Sequence, residues 1–292
     1  MLTGKKRILS AVLSGALLAA CAVSAPAWAS AATDPIVELE GNYVVLNEGL
    51  TWRQLDTQIL SDTGYYITDF PTSSLNTYVQ TDQTAEITRF NGEPFSVEMV
   101  VMGDINGDGY FTSQDYQSYI DHIHTHVLNG AKRKACDMNR DGIVDAGDKL
   151  LLKEKVRYNQ WQIVMAVWGN QIVDAEPGRT IGDFLYSAGY LKGLNGSGTL
   201  YDKDLNNVTD QLTGNLENGM IYSCNNTLYR VIIYGDVDCD GIVTISDVMQ
   251  ISRIAAGSSC EDYVREAADC NMDGMVDASD AQEAARLIAY YS

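Results

Sequence analysis

Asp236, Asp238, Asp240 and Asp247 stand at the first, third, fifth and twelfth places of one short segment that opens after Gly235. Side-chain oxygens at that spacing can wrap a single hard cation, and carboxylates are the donors that calcium prefers. Gly241 fills the sixth place, where the sharp turn needs a residue without a Cβ. The carbonyl of Ile242 would add the seventh-place ligand, and Thr244 the ninth, commonly through water. The pattern occurs three more times. One set is Asp104, Asn106, Asp108, Tyr110 through its carbonyl, Thr112 and Asp115, with Gly109 sixth. Another is Asp137, Asn139, Asp141, Ile143 through its carbonyl, Asp145 and Asp148, with Gly142 sixth. The last is Asp269, Asn271, Asp273, Met275 through its carbonyl, Asp277 and Asp280, with Gly274 sixth. Within each pair the second loop starts 33 residues after the first. Four calcium sites are expected.

The elements that must position these loops alternate. A helix is expected after each loop. Tyr116, Tyr119, Ile120, Ile123 and Val127 recur at helical spacing after the first, and Leu150, Leu151, Leu152 and Val156 follow the second. Val248, Ile251, Ile254 and Ala255 follow the third, with Gly257 and Ser258 closing that helix. Ala281, Ala284, Ala285, Leu287 and Ile288 follow the fourth. Asn129 to Lys134 reads as a polar link. Val97 to Met102 and Tyr229 to Tyr234 are β-branched or aromatic runs, so strands rather than helices enter the first and third loops. Upstream, Asn42–Leu46 and Ser96–Met102 bracket a helix from Trp52 to Leu60. Thr51 is its N-cap, and Trp52, Leu55, Ile59 and Leu60 share its apolar face. Gly178 to Leu185 echoes Gly49 to Leu55, and Ile163–Trp168 and Leu228–Tyr234 are strand-like, so the second half repeats the first.

The expected fold is α+β. A signal peptide, 1–31, precedes two small β-rich modules, 32–102 and 158–234. These alternate with two all-α modules of paired loop-helix motifs, 103–157 and 235–292. Lys5, Lys6 and Arg7 ahead of an apolar run from Ile8 to Val23 read as a secretory leader. Ala27-Trp28-Ala29 fits ordinary cleavage, whereas Leu18-Ala19-Ala20-Cys21 fits a lipobox that would tether the protein to the cell surface through Cys21. Either reading takes the chain out of the cytoplasm.

Without Lys5, Lys6 and Arg7 the chain holds 17 basic against 39 acidic residues, a charge of −22. Nucleic acid and acidic surfaces are poor partners for it. Four calcium ions would reduce that charge to −14. Beyond Cys21, Cys136, Cys224, Cys239, Cys260 and Cys270 form neither a disulfide framework nor a zinc spacing. Cys239 and Cys270 lie inside loops of one pair, so a bridge between them and two reduced thiols both stay open.

Paired loops that open and close on Asp, each followed but not preceded by a helix, resemble the type I dockerin. Gly103-Asp104-Ile105-Asn106-Gly107-Asp108-Gly109 carries the likeness most clearly, and it extends over Gly103 to about Val156 and Gly235 to about Tyr291. The resemblance implies two calcium ions per module and binding to cohesin modules of scaffolding or cell-surface proteins in plant-polysaccharide-degrading bacteria. It also implies that the tenth and eleventh loop residues touch cohesin. Here those are Ser113 and Gln114, Ala146 and Gly147, Ile245 and Ser246, and Ala278 and Ser279. The four pairs differ, which points to two dockerins with different partners. The modules before them are similar to the small β-grasp-like domains that precede dockerins in secreted clostridial proteins.

The leading expectation is a monomeric, non-catalytic adaptor with two cohesin-binding modules. The alternative is a glycan-binding or surface-attachment protein whose β-rich modules carry the function, with Trp52, Trp161, Trp168 and the tyrosines as candidate polysaccharide platforms. Core packing is the competing role for each tryptophan. Catalysis is not expected: H-E-x-x-H, G-x-S-x-G and phosphate-binding glycine loops are absent. His122, His124 and His126 cluster, but only His122 and His126 share a helical face, too few ligands for zinc.

Overall fold

The computed structural model describes residues 36–157, 162–191, 193–194 and 197–291. The leader, Cys21 and Trp161 lie outside them. The described residues form eight helices and two five-stranded sheets, an α+β architecture.

The first sheet starts with a hairpin, β1 (Val37–Glu40) and β2 (Tyr43–Leu46), whose turn residue Gly41 has φ +62°. Helix α1 (Trp52–Thr63) follows, then β3 (Tyr66–Asp69), β4 (Thr84–Thr88) and β5 (Phe95–Val101). Strand order is β1-β2-β5-β4-β3, with β2 parallel to β5 and the other pairs antiparallel. Thr51 caps α1 in a reciprocal box with Gln54, and Gly64 ends it at φ 75°. Trp52, Leu55 and Ile59 are buried against the sheet, whereas Leu60, expected on that face, is exposed. Its position sits a further 100° round the helix, past the edge of the stripe that touches the strands.

The unbroken apolar run ending β5 has a simple cause. Val97, Met99 and Val101 face α1, while Val100 and Met102 face the opposite side, so both faces are covered.

Three helices follow: α2 (Ser113–Thr125), α3 (Gly130–Cys136) and α4 (Ala146–Val156). Helix α3 corrects the expected polar link. Ala131 and Ala135 pack against Val45, Val100 and Met102 of the first sheet, while Lys134 reaches Glu40 at 2.5 Å. That contact supplies the burial a seven-residue helix lacks on its own.

The second sheet repeats the first. Hairpin strands β6 (Ala166–Trp168) and β7 (Gln171–Val173) precede α5 (Ile181–Ala188), then β8 (Thr199–Tyr201), β9 (Ile221–Cys224) and β10 (Thr227–Val231). Order is β6-β7-β10-β9-β8 with β7 parallel to β10, the same plan strand for strand. Thr180 caps α5 as Thr51 caps α1. Strand β6 is shorter than the expected Ile163–Trp168 run, whose first residues approach the α5 core as extended chain. The last helices are α6 (Ile245–Ala255), α7 (Asp262–Ala268) and α8 (Ala278–Tyr291). Loops two and four are thus entered by short helices, contrary to the expected absence, and loops one and three directly from the sheets.

The described residues cluster as one compact unit. Two cores lie under α1 and α5. A third joins Tyr116, Tyr119 and Leu152 to Ala166 and Val173 of the second sheet, to Ile232 just after β10, and to Ile251 and Ala284 near the end of the chain. Within it sit two fully buried ammonium groups, Lys149 and Lys153, beside Asp174.

Candidate metal centres and partner surface

Each loop is a local construction. The sixth-place glycines, Gly109, Gly142, Gly241 and Gly274, have φ of +82°, +88°, +85° and +87°, a left-handed turn that side chains with a Cβ resist. The turn points backbone N–H groups at the first Asp. In loop one, Asp104 Oδ1 accepts from Gly107, Asp108 and Gly109 at 3.1, 3.0 and 3.2 Å. In loop three, Asp236 accepts from Asp240 at 3.1 Å and Gly241 at 3.0 Å. Asp269 accepts from Asp273 and Gly274 in the same way. The seventh residues, Tyr110, Ile143, Ile242 and Met275, have exposed side chains and donate their N–H groups to the fifth-place Asp at 2.8 to 2.9 Å. Their carbonyls are the backbone oxygens they can offer a cation, and for Ile143, Ile242 and Met275 no side-chain oxygen exists.

The twelfth Asp joins loop to helix. Asp115 Oδ1 accepts from Ile105 and Asn106, and its Oδ2 from Thr112. Asp247, Asp148 and Asp280 repeat this at Val237 and Asp238, Asn139, and Asn271, and they accept from Thr244, Asp145 and Asp277 respectively. The ninth residues double as helix caps. Thr112, Asp145 and Thr244 form reciprocal boxes with those twelfth residues, and Asp277 Oδ1 accepts from Ser279. The spacing of ligand nine to ligand twelve is the spacing of a capping box, a signal present in the sequence.

The third-place residues Asn106, Asn139 and Asn271 donate to the fifth Asp, whereas loop three has Asp238 there. Carboxylate oxygens of Asp236, Asp238 and Asp240 accordingly gather within 4.8 Å of one another. Burial pushes the Asp236 carboxyl up to about 7, with Asp247 adding to the rise and the Asn218 and Gly241 N–H groups opposing it. Burial likewise raises Asp115, Asp148 and Asp269 to about 6. The donor set fits a hard cation: it is all oxygen, and Asp137 Oδ1 is buried with no hydrogen-bond partner.

Two contributors carry no motif. The backbone N–H of Thr81 donates to Asp104 Oδ2 at 2.9 Å, and that of Asn218 donates to Asp236 Oδ2 at 3.0 Å. The connections from β3 to β4 and from β8 to β9 thereby hold the first residue of loops one and three. Contact is closest at Gly241, where a Cβ would stand 2.4 Å from the Leu216 carbonyl oxygen, while Gly274 has open space. Gly241→Ala is expected to cost about 2–5 kcal/mol from strain and overlap, and Gly274→Ala about 1–2 kcal/mol from strain alone. Denaturant unfolding of both variants checks the difference.

Among the expected partner residues, Gln114, Ile245, Ser246, Ala278 and Ser279 are exposed, Ser113 and Gly147 are half-buried and Ala146 is buried. Trp52 is in the core, and Trp168 stacks on His124 with ring centroids 4.3 Å apart. His122 Nδ1 accepts from Leu128 N–H, and His126 ends α2 in a left-handed conformation at φ 53°. Cys239 and Cys270 are free thiols, the latter bonded to the Ala267 carbonyl, so no bridge joins them.

A family model described as the dockerin type I domain matches residues 102–157 and again 234–289. No curated protein and no solved structure matches the chain. Type I dockerins bind calcium and cohesin-bearing partners and are non-catalytic modules. The chain therefore carries two dockerin type I domains, one after each five-stranded sheet.

Proposed function

We propose that this is a secreted, non-catalytic component of a polysaccharide-degrading complex that docks onto cohesin-bearing proteins when calcium is bound. The observation that carries the reading is the double dockerin match over four loops of one geometry. The ligands would be the side chains at places one, three, five, nine and twelve and the seventh-place carbonyls. Asp104, Asp137, Asp236 and Asp269 lead the four sets. Calcium would supply the positive charge that these crowded carboxylates lack. The residues themselves do the rest: the glycine turn gathers the oxygens, and the ninth and twelfth residues tie that turn to the first turn of the following helix. A partner then meets a fixed helix face rather than a fraying one. The sheet units are read as β-grasp-like spacers, supported by a mixed sheet packed on a single helix. The basic and apolar leader supports export, by ordinary cleavage or through lipid on Cys21.

The test is capture of the mature chain, residues 32–292, by recombinant cohesin domains from its source organism, in calcium and in excess chelator. Calcium-dependent capture is expected. No capture by folded, calcium-loaded protein would overturn the proposal.

A further inference from the structure

The two dockerins are related by a uniform offset of 132 residues, so every position on one has a counterpart on the other. Their outward faces have opposite fates. On α2, Gln117 is 8% exposed, and its side-chain amide bonds both ways with the Val167 backbone of β6: Nε2 donates to the carbonyl and Oε1 accepts from the N–H, each at 2.8 Å. Ile120 is fully buried, and His124 stacks on Trp168. On α4, Lys153 donates to Asp174, Lys149 donates to the Cys270 carbonyl at 3.2 Å, and Glu154 accepts from Tyr290. The second sheet and the last dockerin therefore occupy the face.

Among the described residues, the counterparts in the second dockerin make no such contacts with another module. Met249 stands where Gln117 does and is 53% exposed, and Ile245 is 65% exposed. Ser252, Ala256 and Ala285 replace Ile120, His124 and Lys153, and all three are exposed. The residue types agree with the geometry. The first dockerin carries amide, imidazole and ammonium groups matched to neighbours, and the second carries small or flexible side chains with no such matches.

We infer that the chain docks through its second dockerin alone, and that the first is a structural module whose docking face is already filled by the chain itself. This rests on the proposed cohesin binding. The open face pairs apolar Ile245 and Met249 with the exposed Arg253, a cationic group on a chain of net charge −19, while Arg286 there is paired with Glu283 at 2.9 Å. Its occupant is a single cohesin whose docking surface combines an apolar patch with carboxylates. A face of this kind already receives β-structure once in the chain, where β6 lies on α2.

The experiment uses the mature full chain with calcium and the cohesin domains that capture it, measuring stoichiometry by titration calorimetry and by light scattering. One cohesin per chain is expected. Replacing Ile245 and Met249 together by Asp should weaken binding by about 100-fold, the size of an interface hot spot, whereas Gln114→Arg should change it less than about twofold. Ile245 and Met249 are exposed, and unchanged melting of the variants would show that they fold. Two cohesins per chain, or loss of binding with Gln114→Arg and none with the double Asp variant, would overturn this inference and leave cohesin binding standing. Failure of the folded, calcium-loaded chain to bind any cohesin would overturn both.

Discussion

Stripping calcium from residues 32–292 is expected to lower the unfolding midpoint by roughly 20 °C or more and to remove most of the helical circular dichroism. Ligand binding that is confined to the folded state stabilises by about 4 kcal/mol per site at a thousandfold excess over Kd, and a domain of this size shifts by about 2–4 °C per kcal/mol. The chain carries four loops of this one geometry. Without the ion, carboxylates such as Asp236, Asp238 and Asp240 face one another within 4.8 Å. The damage should not stop at the helices. Ala166 and Val173 of the second sheet share a core with Tyr116 and Leu152 of the first dockerin, so the near-ultraviolet signal of Trp168 should fade in the same transition. An unchanged spectrum and melt after complete calcium removal would contradict this account.

The calcium-free protein also has a defined response to pH. Asp236, raised to about 7, and Asp115, Asp148 and Asp269, raised to about 6, bind protons more tightly in the folded chain than in the unfolded one, where the ordinary value is 3.8. Their contribution to stability is complete below about pH 4 and is lost as pH rises through 6 to 7. Metal-free protein should therefore melt higher at pH 5 than at pH 7.5. The calcium-loaded protein should show the opposite order, because protons and the cation compete for the same oxygens. Melting curves of resin-stripped and calcium-saturated samples at the two pH values test both signs.

The second large effect is expected from Asp174→Asn. The Asp174 carboxylate lies 2.9 Å from Lys153 Nζ and 3.9 Å from Lys149 Nζ, and it accepts from the Tyr116 hydroxyl. Both lysine side chains are fully buried, and loss of hydration already pulls the Lys153 ammonium down while Asp174 holds it up. Asn keeps the shape and tolerates the left-handed backbone at this residue, φ 59°, so the variant removes charge and little else. Two desolvated ammonium groups would then lose their nearest carboxylate, and the buried Glu176 would be the carboxylate still favouring the Lys153 charge. Breaking a buried pair in this way costs about 3–5 kcal/mol. Adding Lys153→Met should recover part of the loss, since it withdraws one stranded charge. Denaturant titration measures both, and a loss below about 1 kcal/mol in the single variant would show that the cluster does not hold the first dockerin to the second sheet.

The glycine turns of the four loops and the helix after each were legible in the sequence because their determinants are local. Places one to twelve span a single turn and a helix start, and Gly109, Gly142, Gly241 and Gly274 mark the left-handed residue in each. Thr51 and Thr180 announced their helices for the same reason: a cap and its partner lie three residues apart. The short helices α3 and α7 were not legible. Lys132, Arg133 and Lys134 read as a polar link, and only the contact of Ala131 and Ala135 with Val45 and Val100 makes seven residues of helix stable. The extra strands of each sheet escaped notice for a related reason, since three- to five-residue strands carry too little periodicity to stand out from loops.

The sequence by itself therefore determined where a cation can be held, because ligand spacing, the glycine turn and the helix cap all act within one loop. It assigned a docking role to each of the two dockerins. Only the tertiary structure decided that the face of one is spent on Val167, Trp168 and Asp174 while the face of the other stays open. Those contacts join residues about 20 to 50 positions apart, and no local pattern records which of two homologous helices a distant strand will cover.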